Sequence, residues 1–356
     1  MTTTQPAAPA GKSTTPAKGA APLEFRDVTK RYPGTKGAAL ENLSFTVPAG
    51  EVCVLVGPSG CGKTTAMRLV NRMIDLSSGD ILIDGKSILK QQPTDLRREI
   101  GYVIQHVGLF PHLSINGNIS VVPRLLGWDK KRCNDRAAEL LELIGLPVEM
   151  GKRYPSQLSG GQRQRVGVAR ALAADPPLML MDEPFGAIDP INRERLQNEF
   201  LRLQRELRKT IVFVTHDIDE AIKMGDKIAI LREGGDLVQF DTPANILADP
   251  ADDFVAQFVG ADRGLKRLAL TTLEEVDLDD TAAAREKNLD AHDGVTVPIK
   301  STLRDALSVM MTDSVRPLLV VDGDGKPAGY VSIEIINEAL RKGRGADDAA
   351  DPMVKG

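Results

Sequence analysis

The segment between Gly57 and Thr64 has the residue types and the spacing of a phosphate-binding loop. Its sequence, GPSGCGKT, fits the pattern G-x-x-x-x-G-K-[ST], and it follows an apolar run and precedes a helical pattern. In that context glycines let backbone N–H groups turn towards phosphate oxygens, and the helix N-terminus adds positive charge. Lys63 would then bridge the β- and γ-phosphates, while the Thr64 hydroxyl would hold Mg²⁺. A chance glycine-rich turn is the alternative, and the acids downstream argue against it.

Two adjacent acids end the apolar run LMLMDE, from which a buried strand can deliver carboxylates to the phosphate loop. We expect Asp182 to act on Mg²⁺ through a bound water and Glu183 to polarise the water that attacks the phosphate. Phosphoryl transfer depends on positioning and charge stabilisation more than on covalent chemistry. Adjacent acids after a strand can instead cap the next helix, but Pro184 follows immediately, and the phosphate loop favours the catalytic interpretation.

Two further polar residues stand at the ends of apolar runs. His216 ends VFVTH, and Gln105 ends GYVIQ. Folds of the α/β class place their ligands at the carboxyl ends of parallel strands. We therefore expect His216 to contact the γ-phosphate and sense its loss, and Gln105 to reach the metal or the attacking water. A purely structural role is the alternative for each residue.

A sheet is needed to bring these residues together, and the chain carries the pattern for one. EVCVLVG, PLMLMDE and KTIVFVTH are nearly all apolar, as buried parallel strands are, and each precedes a helical stretch. LEFRDV and LSFTV alternate apolar and polar residues, which predicts half-buried antiparallel strands. Residues 111–155 are mostly helical in pattern. Strands that alternate with helices predict an α/β fold with a largely parallel sheet.

Composition narrows the function classes. The 356 residues suffice for one large and one smaller domain, and the formal net charge of -4 argues against a nucleic-acid partner. Three scattered cysteines fit neither a disulfide framework nor a CxxC metal site, as expected in a reducing cytoplasm. Apolar runs stay well short of the ~20 residues that cross a bilayer. Residues 1–22 lack the apolar stretch of a signal peptide; they and residues 343–356 are expected to be disordered tails.

The segment LSGGQRQRVGVARAL narrows the choice among phosphate-loop proteins. Ser159 can cap the helix that follows, and a helix N-terminus that carries glycine amides can bind a phosphate. The motifs run in the order RYPG, GPSGCGKTT, Gln105, LSGGQ, LMLMDE, GAID and His216. On this ordered set the chain resembles the ATP-binding cassette (ABC) ATPases over residues 23–260. GAID departs from the commoner SALD of that family but keeps the aspartate.

The resemblance implies a P-loop NTPase fold with a parallel sheet core, an antiparallel β subdomain and a helical subdomain, and ATP and Mg²⁺ as cofactors. It also implies a homodimer that sandwiches two ATP molecules, each between one chain's phosphate loop and the other chain's LSGGQ segment. The implied catalytic residues are Lys63, Gln105, Glu183 and His216, and the implied metal site is Thr64, Gln105 and Asp182. The implied ATP-binding set is Tyr32 on the adenine, Gly57, Pro58, Ser59, Gly60, Cys61, Gly62, Lys63, Thr64, Thr65, Ser159, Gly160, Gly161, Gln162, and Asp189 at the subunit seam. We take Cys61 as a tolerated small residue in a variable position of the loop rather than as a redox switch.

A cassette that lacks membrane spans usually works beneath separate permease subunits. QHVGLFPHLSINGNISVVPRLLGW resembles importer ATPases, which makes Phe110, Pro111 and His112 candidates for the permease contact, with an ordinary surface loop as the alternative. This segment and FGAIDPINRERLQNEFLRLQRELRKT resemble the osmoprotectant subfamily, whose solutes are glycine betaine, choline, carnitine or proline betaine. The resemblance implies an extracytoplasmic solute-binding protein and a peripheral position at the cytoplasmic face of the cell membrane. Import of another solute such as an amino acid, a non-transport ABC ATPase, and a regulatory module with inactive ATPase sites are the alternatives.

The C-terminal part resembles a single CBS motif, a helix-strand-strand-helix regulatory unit, in STLRDALSVMMTDSVRPLLVVDGDGKPAGYVSIEIINEAL. We do not expect nucleotide binding by this unit, because Ile335 stands where nucleotide-binding copies often carry an acid, three residues after Ser332. Sensing of ionic strength and a dimer-stabilising role are both open. Asp322 to Gly325, DGDG, is interpreted as a turn rather than a calcium loop. We expect an ATPase domain at 23–262 and a linker with the CBS-like domain at 263–342.

Overall fold

The structure, a computed structural model, describes residues 19–35, 37–104, 108–186, 188–279, 295–312 and 317–342. The chain forms two compact units, which are described separately. Unit 1 runs to His216 and includes Glu233–Asp236, and unit 2 comprises Asp217–Arg232 and the chain from Leu237 onwards. The domain boundary expected after residue 262 stays a prediction.

Unit 1 combines two sheets with helices. Its strands are β1 (Leu23–Arg31), β2 (Ala38–Val47), β3 (Val52–Val56), β4 (Ser78–Ile83), β5 (Lys86–Ser87), β6 (Ile100–Val103), β7 (Leu178–Asp182) and β8 (Thr210–Val214). Its α-helices are α1 (Lys63–Val70), α2 (Pro93–Glu99), α3 (Ile115–Ile119), α4 (Val121–Leu125), α5 (Lys130–Leu143), α6 (Gly160–Leu172) and α7 (Pro190–Leu207). Short 3₁₀ turns occupy Ile88–Lys90, Val148–Lys152 and Pro155–Gln157.

The first sheet is antiparallel, with the order β2-β1-β4-β5. Alternation along β1 and β2 sends every second side chain to one face, and the rings of Phe25 and Phe45 stack there with centroids 4.6 Å apart. The two residues are also direct partners across the strands. The half-buried antiparallel strands expected from LEFRDV and LSFTV are therefore present.

The second sheet of unit 1 carries parallel strands in the order β3-β8-β7-β6. Every residue of β3 and β8 is buried, as the apolar runs predict for strands covered on both faces. In the register, Val214 lies beside both Leu55 and Asp182. The carboxyl ends of β3, β8 and β7 therefore meet at one edge, where the residues that follow these strands come together.

Helix α1 is shorter than the pattern TTAMRLVNRMI predicts. It begins at Lys63 and ends at Val70. Arg72 adopts the left-handed conformation with φ of 51°, and the Met73 N–H returns to the Arg68 carbonyl at 2.8 Å. This turn closes the helix in the manner of a C-terminal cap, although the apolar spacing continues beyond it.

Unit 2 begins with helix α8 and a hairpin. Its elements up to residue 268 are α8 (Ile218–Met224), β9 (Lys227–Arg232), β10 (Asp236–Asp241), α9 (Pro243–Ala248), α10 (Asp253–Val259) and α11 (Arg263–Leu268). Strands β9 and β10 are neighbours, and both glycines of the connecting turn, Gly234 and Gly235, have positive φ. Two successive residues with positive φ are what a tight hairpin turn requires, so the predicted hairpin is confirmed.

The rest of unit 2 is a small α/β body with its own core. Its elements are β11 (Thr296–Pro298), α12 (Leu303–Thr312), β12 (Leu318–Val321), β13 (Pro327–Val331), α13 (Ile333–Lys342) and a 3₁₀ turn at Leu273–Glu275. The sheet order is β11-β12-β13. Leu273 is fully buried in this core, so the first part of the acidic segment packs with the helix-strand-strand-helix unit, while residues 280–294 lie outside the described ranges.

No helix within the described ranges has both the length and the apolar composition needed to cross a bilayer.

Candidate nucleotide-binding site

The phosphate loop lies between the buried strand β3 and helix α1, as its sequence predicts. Gly57, Gly60 and Gly62 have φ of 152°, 85° and 96°, conformations that side chains with a Cβ rarely adopt. At Gly62 the reason for glycine is also steric, because a Cβ would lie 2.3 Å from the Ala39 carbonyl oxygen. The glycines thus fix the curvature of the loop in front of α1.

Lys63 turns its ammonium group into the loop. The residue is only 7% exposed, and its Nζ donates to the carbonyl oxygens of Gly57 at 2.7 Å and Pro58 at 2.8 Å. Cys61 is buried beside it, with its Sγ 3.5 Å from the same nitrogen. A positive charge is therefore held in the hollow of the loop, and a phosphate oxygen can exchange with these carbonyls as a stronger, charged partner.

Asp182 and Thr64 meet on the inner side of this loop. Asp182 is half-buried at the end of β7, and its carboxylate is hydrogen-bonded to the Thr64 side chain. Burial raises the pKa of Asp182, and the charge of Glu183 adds to the rise, while Arg68, Thr64 and Lys63 act in the opposite direction. A cation would relieve this burial of negative charge.

The donors at this point suit Mg²⁺. A hydroxyl and a carboxylate are hard oxygen ligands, and Mg²⁺ takes one or two such protein groups together with waters and phosphate oxygens. Among the described residues no group of three or more His, Cys, Asp or Glu side chains could hold a metal by itself. A metal at Thr64 and Asp182 would therefore need the nucleotide phosphates to complete its ligands.

Glu183 and His216 form a direct pair. His216 Nδ1 lies 3.0 Å from Glu183 Oε1, and the imidazole is 63% exposed, so it faces outward from the sheet edge. Glu183 has φ of 42°, and its N–H donates to the Val214 carbonyl at 3.0 Å. This left-handed backbone turns the carboxylate from the line of β7, a strained conformation of the kind that clusters at active sites.

The LSGGQ segment forms a capped and exposed helix N-terminus at the start of α6. Ser159 Oγ accepts from the Gln162 N–H at 3.3 Å, and Gln162 Oε1 accepts from the Ser159 N–H at 2.9 Å, which is a capping box. The predicted cap is therefore confirmed. A Cβ on Gly160 would meet its nearest atom at 4.0 Å and one on Gly161 at 3.6 Å. Packing within this chain does not require either glycine, so the small side chains leave room for something that approaches from outside.

The remaining predicted ATP contacts are placed as follows. Tyr32 is exposed, with Lys30 Nζ 5.0 Å from its ring centroid. Asp189 is exposed at the start of α7, where its carbonyl accepts from the Arg193 N–H. Pro58, Ser59, Gly60 and Thr65 line the outer part of the loop and the first turn of α1 without being buried. Gln105 lies outside the described residues.

Three features of this region were not predicted from the sequence. The direct bond between His216 and Glu183 is made possible by the parallel pairing of β7 with β8, because Asp182 lies beside Val214 and the two side chains follow within two residues. Arg68, one turn beyond the phosphate loop, offsets the negative charge of Asp182. Arg170 and Asn118 hold the loop that carries Phe110. A basic residue within a helix and a buried amide give no local signal of such roles.

Comparison with known proteins agrees with this geometry. A family model described as ABC transporter matches residues 40–186, and one described as CBS domain matches residues 288–342. The osmoprotectant import ATP-binding protein OsmV of Salmonella typhimurium is 49% identical over 87% of this chain and 78% of its own. The choline transport ATP-binding protein OpuBA of Bacillus subtilis is 49% identical over 90% of this chain and 81% of its own. The glycine betaine/carnitine/choline transport ATP-binding protein OpuCA of the same organism is 48% identical over 90% and 80%.

Solved structures give the same result for the fold. The ATP-binding cassette MJ0796, in a dimeric post-hydrolysis state bound to ADP and Pi, has a TM-score of 0.55 and 32% sequence identity. It covers 62% of this chain and 98% of its own. The cbiO1 protein of Clostridium perfringens, part of the ABC transporter complex cbiONQ, has a TM-score of 0.59 and 27% sequence identity. It covers 64% of this chain and 91% of its own. The chain belongs to the ABC transporter ATP-binding proteins.

Proposed function

We propose that this chain is the ATP-hydrolysing subunit of an importer that takes up a quaternary-amine osmoprotectant through separate permease subunits. The observation that carries the ATPase assignment is the convergence of Lys63, Asp182, Glu183 and His216 on one sheet edge, behind the phosphate loop. The solute class is supported by relatives at 48–49% identity that are named for the transport of osmoprotectants, choline, glycine betaine or carnitine.

The residues divide the reaction between binding and proton transfer. Lys63 and the loop amides would bind the β- and γ-phosphates. Thr64 and Asp182 would hold Mg²⁺, whose chemistry when bound is to stabilise negative charge on phosphate oxygens. Glu183 orients the attacking water and accepts its proton. Because an ionised carboxylate only accepts hydrogen bonds, His216 carries its proton on Nδ1 and keeps Glu183 turned towards the water. Donation from its second ring nitrogen to a γ-phosphate oxygen would require a proton there as well, because phosphate oxygens only accept hydrogen bonds.

A second copy of the chain would complete each ATP site. The corner at Ser159, Gly160 and Gly161 is exposed. The backbone N–H groups at this helix N-terminus can donate hydrogen bonds to a γ-phosphate. Glycines without an internal packing role support an approach from outside the chain. The dimeric state of MJ0796, bound to ADP and Pi, supports a dimer as the nucleotide-binding form. Asp189, exposed just before α7, would lie at the seam of the two chains.

A permease contact is proposed for the tip of the segment that follows Gln105. Phe110 is 42% exposed, and Pro111 and His112 are exposed beside it. An exposed aromatic ring with a second ring close by is suited to a groove on a partner protein. The chain would then act peripherally at the cytoplasmic face of the membrane, with an extracytoplasmic solute-binding protein as an indirect partner. The CBS-like unit would regulate this activity or stabilise the dimer.

The test is ATPase activity of the chain reconstituted in liposomes with the permease encoded next to it, with glycine betaine and its binding protein supplied. Stimulation by glycine betaine is expected, and Phe110→Ala is expected to weaken copurification with the permease. If only an amino acid stimulates ATPase activity, the chain would still be assigned to an importer, but the proposed solute class would be wrong. Absence of any solute response would contradict the importer assignment.

A further inference from the structure

The loop from Gly108 to Ser114, here called the permease loop, is exposed at its tip but anchored from beneath by two side chains outside the predicted ATP-binding set. Phe110 and His112 lie at the tip, with ring centroids 6.0 Å apart in an edge-to-face arrangement. The anchors are Asn118 on α3 and Arg170 on α6. They act on opposite ends of the same loop.

Asn118 fixes the backbone of the tip. Its side chain is completely buried, and its Oδ1 accepts from the Phe110 N–H at 2.7 Å. Its Nδ2 lies 3.1 Å from each of the carbonyl oxygens of Phe110, Leu113 and Ser114. A buried amide satisfied in this way locks the loop in one conformation, because any other arrangement leaves buried polar groups without partners.

Arg170 joins the start of the permease loop to α6. Its Nη1 donates to the Gly108 carbonyl at 2.6 Å, a short bond from a charged donor. The guanidinium is half-buried, and burial lowers the pKa of Arg170, although an arginine remains protonated in proteins. The residue stands in the last turn of α6, whose first turn is the LSGGQ corner.

Helix α6 is packed as a rigid rod between these two ends. Its 13 residues span about 20 Å at 1.5 Å per residue. Near its C-terminus the carbonyl of Ala171 approaches β6 so closely that a Cβ on Gly101 would lie 2.8 Å from the oxygen. Val166, Ala169 and Leu172 are buried along its length. A displacement of the LSGGQ corner is therefore transmitted to Arg170 rather than absorbed within the helix.

We propose that Arg170 is a positioning residue that carries movement of the LSGGQ corner to the permease loop, with Asn118 keeping that loop rigid. When the partner's ATP engages the corner, α6 and the loop move as one body, and Phe110 and His112 move against the permease. This inference rests on the proposed function, because it assumes that the loop contacts a permease and that the corner binds the partner's ATP.

The first experiment compares Arg170→Ala with Arg165→Ala in the reconstituted transporter. Arg165 is the matched control, because it lies on the same helix and its Nη1 donates to the carbonyls of Ile144 and Gly145 at 3.1 and 3.3 Å, away from the permease loop. We expect R170A to lower solute-stimulated ATP turnover by about 2- to 30-fold, the usual range for coupling residues, while the isolated subunit keeps its basal turnover. R165A should keep the stimulation. Arg170→Lys, which keeps the buried charge but not the reach, should repeat the R170A result if R170A folds poorly.

The second experiment needs no permease. It therefore tests the link between α6 and the permease loop separately from the importer function. Hydrogen exchange of the 108–118 segment is measured in the full chain with and without Mg-ATP, in the Glu183→Gln background that prevents hydrolysis. ATP should change exchange in this segment, and R170A, but not R165A, should remove that change. Asn118→Asp, which turns a carboxylate oxygen towards three carbonyls, should raise exchange in the segment with or without ATP.

The inference is overturned if R170A keeps both the stimulation and the ATP-dependent exchange, or if R165A loses them equally. A wild-type chain that shows the ATP-dependent exchange and its loss in R170A, but no response to any permease or solute, would support the link between α6 and the loop. That outcome would contradict the proposed importer function but not the link between α6 and the loop.

Discussion

At the scale of single residues, we propose that the pair of Glu183 and His216 determines whether bound ATP is hydrolysed. Their 3.0 Å contact holds the carboxylate on an exposed imidazole at the edge of the sheet. The proposed proton acceptor and the residue proposed to orient it follow two adjacent strands, β7 and β8. Their contact is made outside the phosphate loop, so we expect that binding and hydrolysis can be separated by mutation.

Glu183→Gln keeps the shape of the side chain but removes its capacity to accept a proton from water. We expect ATP hydrolysis to fall by about 10²- to 10⁴-fold, the usual contribution of a general base, while ATP binding persists and an ATP-bound dimer accumulates. Phosphate release and size-exclusion chromatography in the presence of ATP measure the two effects. Glu139→Gln, at an exposed glutamate paired with Arg136, is the control that should change neither. Undiminished turnover in E183Q would contradict the catalytic assignment.

Asp182, the proposed metal ligand, also affects stability. Because burial raises its pKa in the folded chain, the folded state holds this proton more tightly than the unfolded state, and stability falls as pH rises through the interval between the two pKa values. Asp182→Asn carries no charge, so we expect a higher Tm than wild type at pH 7 without nucleotide or metal, and a flatter dependence of Tm on pH. Mg²⁺-dependent ATPase activity should be lost. A lower Tm at every pH would show that hydrogen bonding of the carboxylate outweighs its burial.

At the scale of elements, α6 combines a capped N-terminus with glycines that its own chain does not need. Gly160→Ala meets no atom closer than 4.0 Å, and alanine favours helix by at most about 1 kcal/mol over glycine. We therefore expect the subunit to be as stable as wild type or slightly more stable, while ATP-dependent dimerisation is weakened by the added methyl group. Unfolding in urea and light scattering with ATP measure these effects.

Two further variants serve as controls for Gly160→Ala. Gly264→Ala, on α11 with open space around it, should show the change in stability without any loss of dimerisation. Ser159→Ala removes the cap and should lower stability by about 0.5–2 kcal/mol. A stable G160A subunit that still dimerises normally would remove the support for a site shared between two chains.

Some of these structural features could be predicted from the sequence, and others could not. The phosphate loop, the acids after β7 and the Ser159 cap were predictable, because strand burial, glycine spacing and helix capping are local properties of the chain. The end of α1 was not, because a left-handed Arg72 stops a helix whose apolar spacing continues. The anchoring of the permease loop by Asn118 and Arg170 was not predictable either. Those hydrogen bonds join residues far apart in the sequence, and no local pattern records them.

At the scale of the whole molecule, helix α11 joins the CBS-like unit to the rest of unit 2. It contacts α12 and α13, and Arg267 donates to the Leu340 carbonyl at 3.1 Å. On its other side Lys266 Nζ binds Asp219 of α8 at 3.0 Å, Asp262 at 3.2 Å and the Val259 carbonyl at 2.7 Å. The same lysine therefore links α11, which contacts the CBS-like unit, to α8, the first helix of unit 2.

Burial lowers the pKa of Lys266, but its bonds to Asp219 and Asp262 raise it further, so the folded-state pKa lies above the ordinary value. Its contribution to stability is therefore complete at neutral pH and is lost as pH rises through that raised pKa. Lys266→Met should lower the free energy of unfolding by about 1.5–3 kcal/mol at pH 7, with a smaller difference at strongly alkaline pH. Lys326→Met, at an exposed pair 4.0 Å from Asp324, is the control that should have no effect. An equal loss at every pH would contradict a charge-based role.

The exposed corner at Ser159, Gly160 and Gly161 has a consequence for genetics. If each chain lends this corner to its partner's ATP, one defective subunit damages a site whose phosphate loop is intact. Variants of the corner, expressed together with the wild-type gene, would then be incorporated into mixed dimers and lower uptake below the level set by the wild-type copies. Substitutions that prevent folding would be removed before pairing and would behave as recessive. Dominance in a merodiploid strain would therefore distinguish residues that serve the partner from residues that serve their own chain.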